Sequence, residues 1–443
     1  MKTTQSYLLA ALLQGAFFTL ACPLVSAQET AGDYVSRKEY EELKAELLAM
    51  KKELAGLKKS RQAESSSSSE SPNTQAAVAE AGKTVVPPSA LPEAALKESP
   101  LGLTNFHIAG WGSATYEARN GNVSDFTVSF NPIFLWQLSP KLLFDARLEI
   151  EPSGSGTNVE LEYAELSYLL NDYITLAIGE FFSPSNVFVE RFEPLWINKL
   201  PDRPLAVYDG VLPERSFGFQ VRGGIPLGPT RANYSFYVAN GPQLNVFSAT
   251  RAGMLEFQDF SDNNDNKAFG GRVGFLPLPG VEVGYGFEIA KPGTQGTDFA
   301  DVDSLLQSVD LNITRDSEML RGRFDFHAQY AWSHVDEATY DPNGVFGFGP
   351  LTFESERDGG YVQLAYRPTR LDGDFVKNLE LVGRWDHLSR APSGLGVSQE
   401  ERWSLGLNYW LGPGVVVKAA YEWDNAHDEP NRDAWFLQVA TGF

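Results

Sequence analysis

Basic side chains occur among the polar residues that alternate with apolar ones in many segments, as where Arg323 precedes Phe324 and Phe326. Guanidinium groups bind carboxylates and phosphates through paired hydrogen bonds, so these residues could bind anions. Alternation with a period of two places such groups on one face of a β-strand. The basic residues assigned to this face are Arg147, Arg222, Arg272, Arg321, Arg323, Arg367, Arg384 and Lys418.

Carboxylates occupy the same faces in nearly equal number, which leaves a second interpretation open. The basic groups could pair with neighbouring acids and only fill the wall that they share. The acids concerned are Asp145, Glu149, Glu282, Glu288, Asp325, Glu380, Asp386, Glu422 and Asp424. Because the two sets nearly cancel, these residues by themselves indicate little preference between anionic and cationic ligands.

The residues that could take part in catalysis do not occur in a recognisable catalytic motif. The 5 histidines include no His-Glu-x-x-His motif, and the chain contains no Gly-x-Ser-x-Gly motif. Ser333 and His334 are adjacent, but neighbours on a strand point to opposite faces and cannot act as a catalytic pair. We therefore predict no enzyme activity, no cofactor and no metal site.

The elements that carry these residues are segments of alternating polarity. We identify about 16 of them after position 105, each near the length of about ten residues that crosses a bilayer at a tilt. Their predicted spans are 106–119, 124–137, 141–151, 159–170, 173–182, 215–225, 231–240, 267–276, 281–290, 303–314, 319–335, 358–368, 377–388, 400–411, 415–425 and 434–443.

Short connections alternate with long ones along this part of the chain. The long ones include 183–214, 241–266, 291–302, 336–357 and 389–399. Short turns on one side and long loops on the other are typical of outer-membrane barrels, in which sheet closure pairs every backbone group. The predicted fold is an all-β antiparallel transmembrane barrel of about 16 strands over residues 105–443, preceded by a short N-terminal coiled-coil helix.

The first hundred residues predict three further regions. Residues 1–27 have the basic start, apolar centre and small-residue cleavage site of a signal peptide. Residues 28–59 contain apolar positions at alternating spacings of three and four, typical of a coiled coil. Residues 60–104 contain a serine run and several prolines, which predict a flexible linker.

Overall charge narrows the possible partners. The chain has 36 Lys and Arg against 57 Asp and Glu, giving a formal net charge of -21. Such an acidic chain is repelled by nucleic-acid phosphates, so we predict no nucleic-acid partner. The coiled coil predicts self-association, because an exposed apolar seam requires a partner helix.

The longest connection, 183–214, combines charged residues with proline and aromatic residues. That composition predicts a packed loop that folds inward and narrows the barrel, although a solvated surface loop is the alternative. The charged residues of the predicted constriction are Glu190, Arg191, Glu193, Lys199, Asp202, Arg203 and Asp209.

Several segments resemble the phosphate-selective porin O/P-like superfamily of outer-membrane porins. They are 177–184, with its Gly-x-Phe-x-x-Pro element, 378–386, which ends in Arg-Trp-Asp, 405–411, and a last strand ending at Phe443. The coiled coil ahead of the barrel is similar to the DcaP-like branch of that superfamily. This resemblance implies a homotrimer in the outer membrane of a Gram-negative bacterium, with the coiled coil in the periplasm.

We predict an outer-membrane porin for passive diffusion of small hydrophilic solutes. This prediction combines the barrel, its charged inner face and the family resemblance. The slight preference for anions, such as dicarboxylates or phosphate, follows mainly from the resemblance. Expected partners are lipid, the solutes and two further copies of the chain. Two alternatives remain open, namely a structural tether of the cell envelope and a barrel enzyme.

Overall fold

A computed structural model describes residues 105–154, 156–208, 211–257, 261–389, 399–426 and 430–443. The predicted signal peptide, coiled coil and linker lie outside the described residues and remain predictions. Within the described part of the chain, no helix has both the length and the apolar character needed to cross a membrane.

Sixteen of the described strands form one closed barrel in which every neighbouring pair is antiparallel. The ring closes between β1 and β18, where Trp111 pairs with Gly442 and Arg119 with Ala434. The barrel strands are β1 (Phe106–Arg119), β2 (Asp125–Ser139), β3 (Leu142–Ser153), β4 (Gly156–Asn171), β5 (Ile174–Phe182), β6 (Arg215–Leu227), β7 (Thr230–Asn240), β10 (Lys267–Leu278), β11 (Val281–Ala290), β12 (Ser304–Ser317), β13 (Gly322–Tyr340), β14 (Leu351–Arg367), β15 (Leu379–Ser389), β16 (Gln399–Gly412), β17 (Val415–Ala426) and β18 (Ala434–Gly442).

The predicted 16-stranded antiparallel barrel is confirmed. The largest difference in strand length lies at 336–357, which we expected to be a loop. There β13 and β14 continue as a hairpin as far as Tyr340 and Leu351. The alternating pattern is lost in this hairpin because it extends beyond the apolar band, and Tyr340 stacks on Phe353 at 4.7 Å between ring centroids.

The strands present apolar side chains outward and polar side chains inward. On β18, Trp435 and Leu437 are exposed on the outer surface, whereas Phe436 and Gln438 are buried inside. An apolar outer band and a polar interior are the arrangement that a barrel needs in a bilayer. Large aromatic residues also pair across neighbouring strands on the outside, where Trp403 lies between Trp385 and Trp423, and Trp435 pairs with Tyr421.

The connections divide the barrel into a long-loop end and a short-turn end. At the long-loop end, the two short strands β8 (Gln243–Leu244) and β9 (Leu255–Glu256) pair in a separate sheet. Helix α1 (Leu205–Tyr208) shares with them a cluster of buried apolar residues that includes Leu306 and Leu388 of the barrel strands. At the short-turn end, helix α2 (Asp374–Lys377) joins β14 to β15. The loops are thus packed because their apolar residues are buried against one another and against the barrel strands.

Candidate functional site

The segment 183–214, here called the lumen loop, connects β5 to β6 and lies inside the barrel. Its Ser185 carbonyl accepts hydrogen bonds from Ser308 Oγ at 2.9 Å and Gln329 Nε2 at 2.7 Å. Both donors are buried side chains of the inner wall, on β12 and β13. The segment therefore lies against the inner wall of the barrel.

Apolar residues of the lumen loop hold it against the far wall. A single π-helical turn (Phe188–Phe192) buries Phe188 and Val189, and the Phe188 ring lies 5.8 Å from Tyr361 of β14. Leu200 is completely buried against Val382 and neighbouring residues of the inner wall. Gly406 on β16 leaves room for Leu200, since a Cβ there would lie 2.6 Å from the leucine Cδ2 atom.

Arg147 of β3 joins the near wall to the lumen loop. Its Nη2 atom donates to Glu193 of the loop at 2.6 Å and to Glu162 of β4 at 2.9 Å. The guanidinium also lies over Trp111 and Phe182, 4.7 and 4.5 Å from the ring centroids. Arg147, predicted to line the pore, thus forms a buried ion pair with Glu193 of the predicted constriction. This contact neutralises the charge of the arginine.

A second set of charges, here called the anchor cluster, joins the loop to strands β15 to β17. It consists of Asp202 from the loop with Arg384, Asp386, Arg402 and Glu422 from the wall. Arg384 Nε donates to Asp386 at 2.9 Å, and Arg402 Nη1 donates to Asp202 at 2.8 Å. Both arginine side chains are almost completely buried.

Two lysines hold the middle of the lumen loop. Lys199, from the loop, pairs with Glu380 at 2.8 Å and with Asp325 at 3.3 Å. Lys418, from β17, donates to the Leu195 carbonyl at 2.5 Å and to Gln438 at 2.9 Å. Next to these residues Trp196 packs on Gly442, so the loop extends deep toward the short-turn end.

The other charged positions of the predicted constriction differ in exposure. Glu190 and Arg191 are about one-third exposed, and Arg191 Nη1 reaches Glu282 of β11 at 2.8 Å. Arg203 pairs with Glu193 at 2.6 Å and with Glu214 at 3.6 Å. Burial raises the pKa of the Glu214 carboxyl group, and the nearby Arg203 opposes this shift. Asp209 lies outside the described residues.

Arg272 and Arg222 lie on the inner wall, and each is paired with acids. Arg272, on β10, is buried and donates to Asp310 at 2.7 Å and to Glu282 at 2.9 Å. Arg222, on β6, binds Glu165 and keeps 39% of its side chain exposed. The interpretation that wall arginines pair with neighbouring acids therefore holds for both.

Three predicted arginines lie near the short-turn end, and one is not on a strand. Arg323 binds Asp316 at 3.0 Å, and Arg367 donates to the Lys377 carbonyl and Asn378 Oδ1 at 2.9 Å each. Arg321, expected on a pore-lining strand, lies in the β12–β13 turn with a φ of 49° and donates to the Arg370 carbonyl. That assignment is corrected, because the strand begins only at Gly322.

Sequence reasoning missed Arg402 and Arg119, which also contact the lumen loop. Arg119 Nη2 lies 3.3 Å from Asp202 and 3.9 Å from Glu422. Both arginines follow the same alternation as the predicted set, since Arg402 shares a face with Ser404 and Asn408. The alternation could have found Arg402, but its partner on the loop could not be inferred from the pattern.

Comparison with known proteins supports the barrel architecture. No protein-family model and no curated protein matches the sequence. One similar solved structure is a loop L8 deletion mutant of OmpT, an outer membrane protein of Vibrio cholerae. It is 13% identical in sequence, with a TM-score of 0.50, and the match covers 76% of this chain and 99% of that chain. A second similar structure is Salmonella typhi OmpF in complex with daunomycin, which is 11% identical with a TM-score of 0.50. The match covers 76% of this chain and 97% of that chain. At these identities the likeness concerns the fold alone, and the chain has the fold of these outer-membrane barrels.

Proposed function

We propose that the protein is a porin of the bacterial outer membrane through which small hydrophilic solutes diffuse passively. The observation that carries this proposal is a closed barrel with an apolar outer face, a charged inner face and a long loop folded into its lumen. An apolar exterior of this kind suits lipid, and a charged interior suits a path for water and solutes. Transport of this type requires no catalytic group and no cofactor.

The lumen loop acts in this proposal as the constriction. It is attached to β3, β13 and β15 to β17 through Arg147, Gln329 and the anchor cluster. A loop fixed on several sides leaves a passage of defined width and charge. The partly exposed Arg191 and Arg222 are the guanidinium groups that face this passage.

The predicted preference for anions depends on basic groups whose partners carry no charge. Arg367 donates to a backbone carbonyl and an amide oxygen, and Lys418 to a backbone carbonyl and another amide oxygen. Carboxylates neutralise Arg147, Arg272 and the arginines of the anchor cluster instead. Lys418 is 1% exposed and holds the lumen loop, so Arg367 is the residue proposed to favour anions such as dicarboxylates or phosphate.

Assembly as a homotrimer completes the proposal. The predicted coiled coil at 28–59 would join three chains on the periplasmic side, and the apolar outer walls would join them in the membrane. A variant lacking 28–59 is expected to form less stable trimers, measured by native electrophoresis of the folded protein in detergent.

Single-channel recording in planar bilayers tests the proposed function. Purified full-length protein is expected to give open steps that close in thirds, and a salt gradient gives the sign of ion preference through the reversal potential. A folded barrel without conductance would contradict the proposal and favour the tether. Loss of conductance together with hydrolysis of a lipid or peptide substrate would favour the barrel enzyme.

A further inference from the structure

We propose that a cavity between the lumen loop and the barrel wall binds a neutral ring-shaped solute with several hydroxyl groups, of the size of a hexose. The cavity has a volume of about 320 Å³ and is lined by Trp196 and Lys199 of the loop and by His327, Gln363 and Trp410 of the wall, among others. This inference rests on the proposed function and names a class of solute for the pore.

Aromatic rings provide the apolar part of the cavity. Trp196 and Phe192 approach from the lumen loop, and Trp410 lies on β16. The Phe192 ring lies 4.2 Å from the His327 ring, centroid to centroid, which fixes the orientation of both. Flat rings of this kind contact the C–H face of a sugar ring while leaving its hydroxyl groups free for hydrogen bonds.

Polar groups that can still form hydrogen bonds provide the polar part of the cavity. Gln363 is 4% exposed, and its Oε1 atom has no hydrogen-bond partner among the described residues. The amide of Gln363 therefore keeps hydrogen-bonding capacity, and a ligand hydroxyl bonded to this amide stabilises the complex. Next to it, His327 Nδ1 bonds Asn312 Oδ1 at 3.0 Å, which orients the ring beside the cavity.

The charged groups around the cavity already have partners. Lys199 is already paired with Asp325 and Glu380, at 3.3 and 2.8 Å. Lys199 and Arg367 also lie over Trp410, 5.5 and 5.2 Å from its ring centroid, so that ring already interacts with two cations. The groups left for a ligand are then the Trp196 ring and the amide of Gln363, which suit an uncharged solute with hydroxyl groups.

The cavity lies near the short-turn end of the barrel, on the path that a transported solute would follow. Thr314, Asp325 and Trp410 line it, and each lies close to a short turn. The lumen loop covers the cavity from the other side through Phe192 and Trp196. A solute that has passed the constriction would therefore meet this site before leaving at the short-turn end.

Saturation-transfer NMR on the folded full-length protein in detergent tests the inference, with D-glucose as the probe and succinate and glycerol for comparison. We expect saturable binding of glucose with the strongest transfer to its ring C–H protons. Gln363→Leu is expected to raise the Kd for glucose by about fivefold to tenfold, the loss of one hydrogen bond. Trp196→Ala, which removes the largest ring that the lumen loop contributes to the cavity, is expected to weaken binding further.

Two matched controls lie on the outer surface of the same barrel. Gln307 of β12 donates a hydrogen bond to the exposed hydroxyl group of Tyr285. Trp403 of β16 is 59% exposed. Gln307→Leu and Trp403→Ala are expected to leave the Kd for glucose unchanged. Equal weakening by control and lumen variants would overturn the assignment of the site.

The outcomes separate this inference from the proposed function. Conductance without saturable glucose binding, or succinate binding that displaces glucose, overturns the sugar site and leaves the pore. Saturable glucose binding that only the lumen variants weaken supports the site, even in a barrel that does not conduct.

Discussion

Arg402 Nη1 on β16 lies 2.8 Å from Asp202 Oδ2 on the lumen loop, although 200 positions separate the two residues in the chain. The arginine side chain is 2% exposed and the aspartate 10%, so the contact is largely shielded from water. Glu422 lies 3.4 Å from the same Nη1 atom. This pair joins the constriction to the wall at the point where the loop turns toward α1.

Removing the charge of Asp202 should release this side of the lumen loop. Asp202→Ala leaves Arg402 buried beside fewer carboxylates, and breaking a buried pair in this way costs about 3–5 kcal/mol. We expect a larger and noisier single-channel conductance, measured in planar bilayers. The control is Asp316→Ala, which removes the partner of the exposed Arg323 and should leave conductance unchanged. Identical conductance in both variants would show that the pair does not hold the loop.

Replacing Arg147 should destabilise the near side of the loop. Arg147→Gln leaves Glu162 and Glu193 without the cation that joins them, and a cost of about 3–5 kcal/mol is expected for such buried charges. The measurement is urea unfolding in lipid vesicles, followed by tryptophan fluorescence. A double-mutant cycle with Glu193→Gln should give a coupling energy well above zero, and an additive cycle would contradict the contact.

Neutralising Arg367 should shift ion preference toward cations. Its guanidinium is not compensated by the carbonyl and amide oxygens that it contacts. The expected result for Arg367→Gln is a change of the reversal potential in a salt gradient. Lys141→Gln makes the same charge change in the exposed β2–β3 turn and serves as the control. A shift of equal size in the control would assign the effect to surface charge.

Charge placed on the outer face should reveal the depth of each position in the membrane. Leu407 and Leu411 are both exposed on the outside of β16, at the middle and near the short-turn end. Leu407→Arg should destabilise the folded barrel by about 2–4 kcal/mol and Leu411→Arg by about 0–1 kcal/mol. Unfolding in lipid vesicles measures both, and equal costs would contradict the proposed orientation in the bilayer.

Strands were predictable because alternation is a local property. Segment 281–290 coincides with β11, and segment 106–119 coincides with β1. The extension of β13 to Tyr340 was not predictable, since residues beyond the apolar band lose the alternating pattern. Arg321 was misplaced for a related reason, because one residue at a strand end determines whether a side chain belongs to a turn or to the wall.

The partners of the charged residues were beyond sequence reasoning. Nothing in the spacing of Arg147 indicates Glu193, and nothing near Lys418 indicates the carbonyl of Leu195. Such contacts depend on the path of the lumen loop, which is set by the fit of Phe188 and Leu200 against distant strands.

The two faces of the sheet and the alternation of short turns and long loops can be inferred from the amino-acid sequence, because each follows from the order of neighbouring residues. The arginines that carboxylates neutralise, and the path of the lumen loop across the barrel, become visible in the folded protein. The tertiary structure also decided that Gln363 meets Trp196 and Trp410 at one cavity. The physical reason is that closure of the barrel brings strands far apart in the chain around one lumen, where shape and charge select the contacts.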